Sequence, residues 1–317
     1  MQLLMDVKDE QTLRAAGLSP SSEVQVLLGA MPGMAPVRCE IYPDDGSQVV
    51  DVTGTTCVAS AAFRETDVLV ARISKPVEEI RRLAFFACDL LHTLIIDSPL
   101  RSIGALAFEG CRSLRAVALP DSLTELSAKA FQDCQALESL KISASMEDIP
   151  ERAFARCCAL TCVTIPASVR KIGCDAFCGC SALRAVSMPD SLGEIHSEAF
   201  QGCGSLASIA IPDSVTMIGH SAFQACSSLS SISIPEAVKT IPQGAFQDCS
   251  GLKTLTIRSS ETLIESEAFR GCSSMQAVTL IGSPGPIQRA AFHGCSALKG
   301  LDGLEIPREA FLGPFGY

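Results

Sequence analysis

Tryptophan is absent from this chain, and tyrosine occurs only twice in 317 residues. Fourteen phenylalanines are the whole remaining aromatic supply. A core for a chain of this length must therefore come mainly from small and aliphatic side chains, unlike that of an ordinary globular enzyme. Runs of Lys or Arg are also lacking, and the formal net charge is −10. Phosphate contacts need clustered cations, so no nucleic-acid partner is expected. No apolar run reaches the roughly 18 residues that cross a bilayer, so no membrane insertion is expected either. The opening Met-Gln-Leu-Leu-Met-Asp has no basic stretch before its apolar residues and does not read as a secretory signal. The expected location is intracellular, in the cytoplasm, with thiols reduced. Phosphate-binding Gly-Lys-Ser loops, His-Glu-x-x-His pairs and Gly-x-Ser-x-Gly elbows are missing as well. These absences lead to the expectation of a protein without catalytic residues or cofactor.

What the chain has is periodicity. Phe85, Phe108, Phe131, Phe154, Phe177, Phe200, Phe223, Phe246, Phe269 and Phe292 recur at intervals of 23. Each follows an Ala, a Cys comes three residues later, and a Leu (Met275 once) three residues after that. Leu229-Ser-Ser-Ile232-Ser-Ile234-Pro235 alternates apolar and polar, the period of a half-buried strand. Proline follows the strand at Pro120, Pro166, Pro189, Pro212 and Pro235, where its fixed φ and missing N–H end a ladder. Asp-Ser after it offers side-chain acceptors to the turn. A second short extended piece follows, such as Val215-Thr-Met-Ile218, and then a compact helical turn carrying Ala-Phe-x-x-Cys. One coil cannot bury its own apolar stripe, but stacked coils share a continuous core. The expected fold is an α/β repeat solenoid over residues 60–300, with about ten to eleven coils, a parallel sheet on a concave face, and short helical turns elsewhere.

Ile211-Pro-Asp-Ser-Val-Thr-Met-Ile218-Gly-His-Ser-Ala-Phe223-Gln-Ala-Cys226-Ser-Ser-Leu229-Ser-Ser-Ile232-Ser-Ile234-Pro235 resembles the BspA-type leucine-rich repeat at every defined position. The resemblance runs over about residues 60–311. It implies a curved solenoid used for adhesion or protein–protein contact, and it brings no catalytic residues. Many members of that family are secreted or surface-displayed, whereas this chain shows no evident export signal.

The ends depart from the repeat. Val37–Tyr42 and Gln48–Val52 read as strands around Pro43-Asp-Asp-Gly46, covering the first coil within an N-terminal segment of residues 1–59. Residues 301–317, with Ala310-Phe311 arriving 19 residues after Phe292, read as a closing cap. Residues 1–33 read either as a cap of two strands and a turn or as a remnant resembling the C-terminal half of a ubiquitin-like fold. The second reading would make the chain an adaptor in a ubiquitin-type pathway.

Sixteen cysteines would suggest a disulfide scaffold. Ten of them lie on the repeat, however, where parallel side chains at the strand spacing of about 4.8 Å do not converge as a disulfide requires. They are expected to be free, structural thiols. Off the ladder stand Cys39, Cys57, Cys158, Cys162, Cys174 and Cys178. Cys174, His196 and His220 form a candidate zinc or thiol–imidazole cluster, weakened by a separation of about 9–10 Å across two coils. Metal binding is therefore not expected.

The positions flanking the inward strand residues should form an open face of small side chains. Candidate partner-binding residues there are Ser139, Lys141, Cys162, Thr164, Ser187, Ser208, Ser231, Ser233, Thr254 and Thr256. Arg115, Arg184 and Lys253 form a basic column at its border. The reading that follows is a non-catalytic protein–protein interaction scaffold, able to serve as one subunit of a larger complex. A surface adhesin is the alternative if an export signal precedes this sequence.

Overall fold

The computed structural model describes residues 24–26, 37–41, 48–282, 285–298 and 307–313. The chain winds through successive coils, and each turn of the winding repeats the same backbone path one period later. Strand pairing is in register at 23 residues: Val163 stands beside Val186, Ile232 beside Leu255, and Leu255 beside Val278. All the coils run the same way, so their strands pair in parallel.

Two parallel ladders result. The first takes the segment after each core leucine. Gln48–Val52, Val70–Ser74 and Thr93–Asp97 pair in that order. Ala116–Ala118 pairs with Ser139–Lys141, and Cys162–Thr164 with Ala185–Ser187. Ser231–Ile234, Thr254–Ile257 and Ala277–Leu280 complete the series. The second ladder is made of two-residue strands, Cys57–Val58 through Glu125–Leu126, then Asp148–Ile149 through Met217–Ile218, then Thr240–Ile241 with Leu263–Ile264. Sequence alternation anticipated the first ladder, and the second corresponds to the short extended piece after the proline. Ahead of them, Val37–Ile41 pairs antiparallel with both Val24–Val26 and Gln48–Val52. The rest of residues 1–33, on which the ubiquitin-like resemblance rests, lies outside the described residues.

The expected helical turn does not form. Among the described residues the only helix is a single 3-10 turn, Arg308–Ala310. The reason lies in the residues on either side of each phenylalanine. Lys129 and Asp133 around Phe131 both have φ 61°, and Glu198 and Gly202 around Phe200 have 59° and 71°. A helix cannot accommodate a left-handed residue every fourth position. The alternate N–H groups turn along the stacking direction instead. Lys129, Phe131 and Asp133 donate to the carbonyls of Glu151, Ala153 and Ala155 in the next coil, each at 2.9 Å. The i, i+3, i+6 spacing of Phe, Cys and Leu imitates one face of a helix, and this is why the sequence misleads here. Glycine at Gly110, Gly179 and Gly202 adopts the left-handed conformation freely. The other residues in that conformation cost about 1–2 kcal/mol each, a cost the inter-coil bonds offset.

The core is a file of aromatic rings. Phe85 through Phe292 are fully buried. From Phe63 onward successive rings stack at centroid distances of 4.9 to 5.8 Å, near-parallel at 2° to 17°. Around this file lie the alanine, cysteine and leucine columns and the central residue of each strand, such as Val117, Val163 and Ile232. The file ends at Phe311, whose ring is 6.2 Å from Phe292, tilted by 32°, and 37% exposed. Replacing Phe177 with Ala should therefore cost about 3–5 kcal/mol, as for other buried aromatics. The same change at Phe311 should cost far less. Urea unfolding of the two variants, followed by circular dichroism, compares them; equal losses would contradict this account of the core.

Candidate functional site

Strand residues alternate exposed, buried, exposed, as at Ala116–Ala118, Cys162–Thr164 and Ala185–Ser187. The outward positions make one face. Ser139, Lys141, Cys162, Thr164, Ser187, Ser208, Ser231, Ser233 and Thr254 are exposed, and Thr256 is half-buried. No strand is assigned at 208–210, so the ladder lapses there, yet Ser208 and Ala210 still flank a buried Ile209. The face thus runs past the gap. Most of these positions carry small side chains.

Charges stand on both borders of this face. Arg115, Arg184 and Lys253 are exposed immediately before the strands, in one column. At the other border Lys141, the last residue of its strand, places Nζ 3.3 Å from Asp121 Oδ1. Arg258 reaches across an intervening coil to Asp213, with Nη2 3.3 Å from Oδ2. Arg258 escaped the sequence reading, although one signal was available: it occupies the place held by Pro212 and Pro235 in the preceding coils. Exposed pairs of this kind stabilise by about 0–1 kcal/mol and chiefly fix orientation.

The candidate zinc cluster does not assemble. Cys174 and His196 are half-buried and His220 is exposed. The His196 ring is engaged by Glu194 Oε2 at 2.9 Å. Among the described residues, no group of three or more His, Cys, Asp or Glu side chains is arranged to hold a metal ion. Cys178, nearby, donates to Gln201 Oε1 at 3.5 Å. Burial, with Asp175 and Glu198 close by, pushes its thiol up to about 11, the reverse of what a nucleophile needs.

The fifteen cysteines from Cys57 to Cys295 are free. The ten on the repeat have a specific bonding role: each thiol donates to the backbone carbonyl of the phenylalanine in the preceding coil. Cys134 reaches Phe108 O at 3.3 Å, Cys203 reaches Phe177 O at 3.3 Å, and Cys226 reaches Phe200 O at 3.2 Å. Desolvation raises the repeat thiols from Cys88 through Cys249, and that of Cys226 is pushed up to about 12. They are inert donors rather than redox groups. The serines after the prolines act likewise. Ser122, Ser191 and Ser214 donate their hydroxyls to the carbonyls of Leu100, Val169 and Leu192 one coil back. Their hydroxyls thus serve as donors across coils, where the sequence reading had assigned acceptors within the turn.

These 23-residue coils, with a strand face and a buried Phe-Cys-Leu interior, define a leucine-rich-repeat solenoid. The model for the BspA type leucine rich repeat region (six copies) matches residues 56–184 and 170–299, and the chain belongs to that family. The chain is similar in structure to a leucine-rich repeat protein from Bacteroides ovatus ATCC 8483, at 23% identity and TM-score 0.66, over 89% of this chain and 86% of that one. It also matches the T. pallidum leucine-rich repeat protein at 30% identity and TM-score 0.45, over 58% of this chain and 78% of that one. A leucine rich cell surface protein from Faecalibacterium prausnitzii A2-165 matches at 25% identity and TM-score 0.38, over 86% and 98% of the two chains. No curated protein matches the sequence.

The thiol geometry sets an expected outcome. With Ellman's reagent on the native protein, the exposed Cys162 should react first, and the ten repeat cysteines should react only after unfolding. Peptide mass spectrometry of the labelled protein reads the order. Labelling of Cys203 or Cys226 in the folded state would show that the ladder is open to solvent.

Proposed function

We propose that this chain is a non-catalytic scaffold that receives a protein partner on the outward positions of its first strand ladder. The observation that carries the reading is the continuity of that face: exposed Ser, Thr, Ala and Cys side chains recur coil after coil around buried Val, Ile and Leu. Such a surface has little side-chain entropy to lose on contact, which lowers the cost of association. Binding hot spots favour Trp, Tyr and Arg. This face has none of the first two, so the partner supplies the bulky anchors, and Arg115, Arg184 and Lys253 orient it from the border.

Two observations support the non-catalytic part. The repeat thiols are tied to backbone carbonyls, and the thiol of Cys178 is raised rather than lowered. A reducing compartment suits Cys158, Cys162, Cys174 and Cys178, which stay unpaired although they crowd two adjacent coils.

A photo-crosslinking residue placed in turn at Ser208, Ser231 and Ser250, in the native cell, tests the choice of face. Ser208 and Ser231 should yield the same discrete adduct, and Ser250, on the turn segment, should yield none. Changing Ser208 and Ser231 together to Arg should weaken the identified complex at least about tenfold, the equivalent of 1.4 kcal/mol, with the far-ultraviolet dichroism unchanged. Adducts formed only from Ser250 would move the binding surface to the turn side.

A further inference from the structure

On the turn side, Glu109 and Gln132 hold the same place in successive coils, each directly after a core phenylalanine. Gln132 is only 7% exposed. Its amide Nε2 donates to Glu109 Oε1 at 3.1 Å and to Asp133 Oδ2 at 3.3 Å. Two oxygens of the pair are left over: Glu109 Oε2 and Gln132 Oε1 are both buried and lack a hydrogen-bond partner. Two acceptors cannot satisfy one another, and a buried acceptor without a donor is costly. A single proton on the carboxyl group removes both deficits.

We propose that Glu109 is held as a neutral carboxylic acid whose Oε2–H donates to Gln132 Oε1, closing an acid–amide ring across the coil interface and making that joint pH-sensitive. The amide N–H to Glu109 Oε1 is the half of the ring already in place, and the acid O–H completes it.

The surrounding charges fit this assignment. Burial raises the Glu109 carboxyl and the neighbouring Asp133 raises it further, while Lys129 and Arg156 oppose both. Arg156 is committed to Asp133 through both its Nε and Nη2. Arg112, from the same coil as Glu109, turns to Asp89. The preceding coil presents the uncharged Phe86 and Ala87, and the Ala87 N–H donates to Glu109 O at 2.7 Å. Beneath the pair, Cys134 is a neutral thiol, strongly raised by burial.

The sign of the pH effect follows. A carboxyl raised in the folded chain binds its proton more tightly there than in the unfolded chain. Its contribution to stability is complete below the unfolded carboxylate value and is lost as pH rises through the folded one. Above that point a carboxylate faces the Gln132 carbonyl oxygen with no hydrogen between them. In a solenoid the loss falls on one interface between neighbouring coils.

The variant E109Q replaces the acid–amide ring by an amide–amide ring that keeps both bonds and cannot titrate. In the full chain, the Tm values of the native protein and E109Q should coincide below the pH at which an unfolded glutamate ionises. As pH rises, E109Q should pull ahead by about 1–2 °C, the shift one hydrogen bond produces in a chain of this size. Carbon-13 NMR of chain labelled at the glutamate carboxyls gives a direct reading. The resonance that disappears in E109Q should titrate above the ordinary glutamate range. A midpoint within that range, or a Tm offset constant with pH, would overturn the proposal. If E109Q does not fold, the native titration still decides: the absence of any glutamate carboxyl titrating above the ordinary range would overturn the proposal.

Discussion

Successive coils are held together by backbone groups that leave their own coil. Around each buried phenylalanine, left-handed residues tip alternate N–H groups out of the local turn and into the carbonyls of the next coil, as Leu106, Phe108 and Gly110 do toward Ala128, Ala130 and Gln132. Those three bonds fix the rise between coils. The rise in turn brings the phenylalanine rings to stacking distance and places each cysteine thiol against the phenylalanine carbonyl of the coil before it. The two strand ladders follow the same spacing. If the left-handed positions were forced helical, the rings, thiols and strands would lose their register together.

The cysteine column shows how side-chain identity follows from this backbone. The phenylalanine carbonyl points back into the turn, where it already accepts the N–H of the cysteine in its own coil, as Phe131 O does from Cys134 at 3.4 Å. The thiol of Cys157, from the next coil, occupies the remaining lone pair at 3.4 Å. A residue there must be small, largely apolar and able to donate weakly, a description that cysteine meets. The same bonding explains why the ten stacked repeat cysteines remain free thiols.

Much of this was legible in the residues. The period of 23, the buried columns and the alternation of strand residues such as Ser231–Ile234 follow from hydrophobic pattern alone, and the family resemblance agreed with the match over residues 56–299. The turn was misread because an apolar residue every third position is compatible with a helix and equally with a chain of left-handed corners. Lys129, Arg152 and Glu198 carry no sequence mark of positive φ, unlike Gly110 or Gly179. Candidate face residues could be placed from register, whereas side-chain reach could not. Arg258 spans two coils to Asp213, and His196 turns to Glu194 instead of toward Cys174. Nor could the unpaired oxygens of Glu109 and Gln132 be read from sequence, since they arise only once the two coils are stacked.

The turn bonds have one more consequence, which concerns the electrical polarity of the whole molecule. The peptide unit joining Ala107 to Phe108 receives a bond on its carbonyl from Phe85 and gives one from its N–H to Ala130, so its dipole lies along the stack. The units at Ala105–Leu106 and Glu109–Gly110 point the same way. Each carries about 3.5 D, and head-to-tail alignment adds such moments as it does in a helix. The solenoid is therefore a long dipole of reversed sense relative to an α-helix, with its negative pole at the first coil and its positive pole at the last.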